Sequence, residues 1–67
     1  MTFDEYVTAV QTTLNDFPEW RQGQTYFNVL ADKRPDLSEQ IRGTALDPFH
    51  KAGDSLTPFL EWVSAQW

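Results

Sequence analysis

The segment Trp20-Arg21-Gln22-Gly23-Gln24-Thr25-Tyr26-Phe27-Asn28-Val29-Leu30 constrains the fold more than any other part of the chain. Its aromatics, glycine and polar groups recur at steps of three and four, a spacing that a helix satisfies and a strand does not. Pro18 and Pro35 flank it; the first suits the opening turn of a helix and the second ends one. The pattern predicts a helix over 18–33. Trp20, Gly23, Phe27, Leu30 and Ala31 form its apolar face, with Tyr26 and Val29 at the edges. Gly23 costs ~1 kcal/mol against alanine in a helix interior, so close approach of another helix is expected there. Lys33 and Arg34 occupy the last turn, where cations face the negative end of the helix dipole.

The rest of the chain reads the same way. Phe3, Tyr6, Val7, Val10, Leu14 and Phe17 lie on one stripe of a helix over 3–16. Thr2 and Glu5 at its start form a capping-box pair. A short third helix over 35–42 opens with Pro35, buries Leu37 and Ile41, and stops at Gly43, where a left-handed cap belongs. Asp47-Pro48 pairs a capping residue with a proline and supports one turn carrying Phe49. Gly53-Asp54-Ser55 is a break. From about residue 55 a last helix aligns Leu56, Phe59, Leu60, Val63 and Trp67. No alternating strand pattern and no internal repeat is present. The expected fold is all-α, one domain over 1–67, a small compact bundle of three main helices plus short helical turns. Its expected core is Phe3, Tyr6, Val10, Leu14, Trp20, Phe27, Leu30, Ile41, Phe59, Leu60 and Val63.

A chain of 67 residues without cysteine cannot rely on disulfides or a thiolate metal site. Its five Phe, three Trp and two Tyr supply the bulk a small core needs, each burying roughly 150–250 Å². The net charge is −5. Residues 1–20 hold Asp4, Glu5, Asp16 and Glu19 and no base; every Lys and Arg falls between Arg21 and Lys51. Such a chain repels phosphate backbones, which argues against nucleic-acid binding. A helix-turn-helix over 18–43 would open its recognition helix with Asp36 and Glu39 toward DNA, which argues against that role too. The acids are scattered and many sit at helix starts, so mimicry of phosphate rows is a poor fit. No signal-peptide pattern or membrane-span pattern occurs, and a soluble cytoplasmic protein is expected.

The set Trp20-Arg21-x-Gly23-Gln24-x-x-Phe27-Asn28-x-Leu30, Pro35-x-Leu37, Ile41-Arg42-Gly43-Thr44, Asp47-Pro48-Phe49 and Phe59-Leu60-Glu61-Trp62-Val63 resembles a group of small orphan proteins encoded by bacteriophages of actinobacteria. The resemblance spans residues 18 to 63. It departs at Lys51-Ala52-Gly53-Asp54, where a more acidic and aromatic loop belongs. It implies a setting and no activity: a phage protein in the host cytoplasm, working on a host component.

Catalytic chemistry has little to draw on. His50 is the only histidine, with no cysteine or second histidine to complete a metal site, and nothing orders Asp47 or Ser55 around it as a base would require. No enzyme activity, cofactor or metal is expected. Arg21, Gln24, Asn28 and Asp32 make a polar stripe on the second helix. It reads either as a recognition surface, with Arg21 pairing a partner carboxylate, or as loop support. In the second reading Gln24 and Asn28 hydrogen-bond the Arg42–Asp47 loop, and Arg21 or Arg42 pairs Asp47 or Asp36. Side chains that bridge helix and loop are common, which favours the second. Tyr26, Phe49 and Trp62 are the aromatics a small core cannot fully enclose. Together with Arg21 they are the candidate partner-binding residues of a non-enzymatic phage accessory protein that binds a host protein. The alternative is self-association into a homo-oligomer with an assembly role.

Overall fold

A computed structural model describes all residues, Met1–Trp67, and contains four α-helices and no strand. They are α1 (Phe3–Asp16), α2 (Gln22–Lys33), α3 (Pro35–Ile41) and α4 (Thr57–Gln66), the last entered through a 3-10 turn, Gly53–Leu56. The all-α bundle read from the sequence is the observed fold, with α1, α2 and α4 as the long helices. No helix is long and apolar enough to cross a membrane.

The Thr2–Glu5 capping box forms as expected. Glu5 N donates to Thr2 Oγ1 at 3.1 Å, and Thr2 N donates to Glu5 Oε1 at 2.8 Å. The hydrogen bond from the Thr2 backbone holds the Glu5 carboxyl below its usual range. At the other end Phe17 leaves the helical region (φ −128°, ψ 67°), as the residue before proline tends to.

The start of α2 differs from the sequence expectation. Pro18-Glu19-Trp20 form a turn, closed by Trp20 N donating to Phe17 O at 3.0 Å, and the helix begins only at Gln22. The cause lies at Gly23, whose N–H donates to Lys51 O at 3.0 Å. Only a residue in the first turn of a helix has its N–H free for an outside acceptor. Had α2 begun at Pro18, that N–H would have been spent inside the helix. Gly23 also explains its own identity. A Cβ there would lie 1.7 Å from Pro48 O and 2.4 Å from Lys51 O, so the close approach is by a loop carbonyl rather than by a second helix.

That loop, residues 42–52, is tied internally. Gly43 takes the left-handed cap expected of it (φ 75°). Asp47 accepts from Gly43 N through Oδ2 (2.8 Å) and from Phe49 N through Oδ1 (3.0 Å), and Lys51 N donates to Pro48 O to close one turn. Lys51 Nζ donates to Ala45 O. Beside the Gly23–Lys51 bond, Gln22 ties the following 3-10 turn to α2, its Oε1 accepting from Gly53 N at 2.9 Å.

One core cluster joins the helices: Tyr6, Val10, Tyr26, Phe27, Val29, Leu30, Leu37, Ile41, Leu56, Phe59 and Val63. Of the expected core, Phe3, Leu14 and Leu60 only pack against this cluster. Trp20 is half-buried and outside it. The turn at Pro18 takes Trp20 off the apolar stripe of α2. Tyr26 and Val29, expected at the edges of that stripe, are both buried. The Tyr6 hydroxyl donates to Tyr26 O at 2.7 Å, and no buried side-chain N or O lacks a partner.

Candidate functional site

An open groove of about 380 Å³ runs between α1 and α2. Ala9, Thr12 and Thr13 line it from α1; Asn28, Val29, Asp32 and Lys33 line it from α2; Trp20 completes it from the turn between them. Thr13 Oγ1 is tied back to Ala9 O at 2.8 Å, so its hydroxyl is committed to the helix. The floor is therefore apolar and the rim polar. Ligand sites generally run to roughly 300–1,000 Å³. This one is at the small end, suited to one side chain or one ring.

Trp20 stacks on Phe17, with ring centroids 4.6 Å apart and planes 14° from parallel. Phe17 is 42% exposed. The two rings thus make an aromatic shelf outside the core. Asp32 and Lys33 form an ion pair at 3.2 Å through Asp32 Oδ2. It joins sequence neighbours on the surface, a type of pair worth at most ~1 kcal/mol. Helix α1 carries Asp4, Glu5 and Asp16 outside the groove and has no base in its last turn, so the negative end of its dipole stands uncompensated.

The polar stripe of α2 is divided by the structure. The side-chain hydrogen bonds from α2 are made by Gln22, Gln24 and Thr25; Asn28 makes none and faces the groove. Gln24 Oε1 accepts from Arg21 N at 3.4 Å, within its own helix end. Neither Gln24 nor Asn28 reaches the Arg42–Asp47 loop, whose own residues satisfy its backbone: Asp47 accepts from Gly43 N, and Thr44 accepts from Leu46 N and Asp47 N. The expected pairing of Arg21 or Arg42 with Asp47 or Asp36 is likewise replaced. Arg42 pairs with Glu39 at 3.0 Å, and Asp36 belongs to Arg34 through two hydrogen bonds of 3.1 and 3.0 Å. These bonds push the Arg34 guanidinium up and hold the Asp36 carboxyl below its usual range.

Of the four candidate partner-binding residues, Tyr26 is corrected. It is 5% exposed, sits edge-on to Tyr6 and Phe59, and leaves no ring surface for a partner. Phe49 is half-buried, edge-on to Phe27 at 6.1 Å and to His50 at 5.0 Å. Trp62 is half-buried on α4 and packs on the core with one side. Arg21 is exposed at the start of α2. Lys33, Arg34, Arg42 and Lys51 each hold a partner, and Arg21 is the one base of the chain whose side chain does not. His50 is exposed, and no group of three His, Cys, Asp or Glu converges to hold a metal. Phe49, Trp62 and Arg21 lie on three different elements, and no ring or cation–ring contact joins them. The structure instead gathers Trp20, Asn28 and Asp32, of which the last two stood on the polar stripe. Compared with protein-family models, with curated proteins and with solved structures, the chain matches none.

Proposed function

We propose that the chain is a non-enzymatic protein-binding module that docks through the aromatic rim of the α1–α2 groove. The Phe17–Trp20 stack carries this reading. Two large rings packed on each other at the surface, beside a groove and an unpaired arginine, have the composition of an interface anchor. The acidic charge of the chain steers the module toward basic partners. The resemblance to actinobacteriophage proteins supplies the setting: an accessory protein in the host cytoplasm, with a host protein as partner.

The test uses the tagged chain as bait in a nuclease-treated actinobacterial lysate, quantified by mass spectrometry. Two controls run beside it, Trp62→Ala and the double variant Phe17→Ala/Trp20→Ala. Stoichiometric capture of one protein, lost in the Phe17→Ala/Trp20→Ala variant, supports the reading. Capture that survives that variant overturns it, and loss in Trp62→Ala alone would place the docking surface on α4 instead. A second reading, self-association, is favoured by the exposure of Phe17 alone; it predicts a mass that rises with concentration and a lysate that yields nothing above background.

A further inference from the structure

We propose that the α1–α2 groove receives an arginine side chain from a basic segment of the partner, its guanidinium stacked over Trp20 and paired with Asp32. This rests on the protein-binding reading and names the chemistry of the docked residue.

The chain already builds this arrangement once. The Arg34 guanidinium lies over the Trp67 ring at 5.2 Å while one edge, through Nε and Nη2, donates to both oxygens of Asp36. The groove presents the same two partners, an indole and a carboxylate, with no arginine between them. A guanidinium suits both at once: its face stacks on an aromatic ring while its coplanar N–H groups pair a carboxylate. Asp32 engages Lys33 through Oδ2 only, with its side chain 73% exposed, which leaves Oδ1 for an incoming donor. Asn28, uncommitted within the chain, adds an amide oxygen on the same side.

Charge and size narrow the occupant further. The groove's own acid, Asp32, is open to solvent beyond its one contact with Lys33, and the chain as a whole is at −5. An anionic ligand would meet this field unfavourably, since Lys33 is already paired. The volume holds one long side chain, and the apolar floor of Ala9 and Val29 suits the methylene stem of an arginine.

The experiment follows the backbone and side-chain amide NMR signals of the protein during titration with a short acetylated, amidated peptide of alternating arginine and glycine. The control peptide replaces arginine by citrulline, which keeps the shape and removes the charge. Saturable shifts confined to Ala9, Thr13, Asn28 and the Trp20 indole, present with arginine and absent with citrulline, are expected. Trp20→Ala and Asp32→Asn should each weaken binding roughly 3- to 30-fold. Neither residue is in the core cluster, so both variants stay folded, and the spectrum itself verifies this. Equal binding of citrulline overturns the proposal, as do shifts spread over remote acids such as Glu39 and Asp54. Groove signals that move with the concentration of the protein alone also overturn it, because the occupant is then a second copy. If these arms fail while lysate capture still depends on the Phe17–Trp20 pair, the protein-binding reading stands and only the arginine site falls.

Discussion

At Gly23 two backbones meet without a side chain between them, and that contact joins the loop after α3 to the start of α2. The Gly23 N–H donates to Lys51 O, and the space a methyl would need is filled by Pro48 O and Lys51 O. Neither acceptor is the end of a flexible side chain, so relief requires moving the loop and breaking the bond. Alanine would gain ~1 kcal/mol from helix propensity, and overpacking against fixed atoms costs more than that. Gly23→Ala is therefore expected to destabilise the chain by about 1–3 kcal/mol net. Chemical denaturation followed by circular dichroism measures this directly. An unchanged or higher midpoint would mean that the loop gives way freely and that the contact has no structural weight. The need for a glycine was legible in the sequence, because a glycine amid good helix formers has to be explained by packing. Its partner was not legible, since Pro48 and Lys51 are distant in the chain and carry no pattern of their own.

Helix α2 shows the same division at the level of elements. Its existence, its end before Pro35 and its central place followed from spacing alone. Its start did not, because Pro18 is equally at home in a first helical turn and in the turn that precedes one. Four residues of difference moved Trp20 from the expected core to the groove, which is why the site was only half readable. Asn28 and Asp32 were visible as a polar stripe, whereas the aromatic that completes the groove was assigned to the interior. The stripe also decides a stability test. Gln22 holds the 3-10 turn through Gly53 N, while Asn28 holds nothing within the chain. Gln22→Ala should cost about 0.5–1.5 kcal/mol. Asn28→Ala should stay within ~0.5 kcal/mol of the parent. Denaturation midpoints at a common m-value compare the two. A larger loss for Asn28→Ala would show that the groove residue is tied to the fold after all, and would weaken its assignment to a partner.

Across the whole molecule the two chain ends are joined by one aromatic cluster. Trp67 stacks on Tyr6 at 5.0 Å, meets Phe3 edge-on at 6.1 Å, and donates its indole N–H to Met1 O at 2.8 Å. Beneath it the Tyr6 phenol is fully buried and donates to the backbone of α2. Burial, with a smaller contribution from neighbouring Tyr26, raises the Tyr6 pKa well above the ordinary 10.0. The sign of the consequence follows from which state holds the proton. Below pH 10 the phenol is protonated in folded and unfolded chains alike, and stability from this group is fully present. Above pH 10 the unfolded chain releases the proton and the folded chain keeps it, so stability falls as pH rises, at up to about 1.4 kcal/mol per pH unit. Tyr6→Phe removes that linkage. It also loses one buried hydrogen bond, about 1 kcal/mol, so the variant should start less stable at pH 8 and lose stability less steeply between pH 10 and 11.5. Denaturant midpoints across that range, read beside tyrosinate absorbance, separate the two slopes. Parallel slopes in parent and variant would mean that Tyr6 ionises freely in the folded chain. The closed cluster between α1, α2 and the chain ends would then have to be open to water.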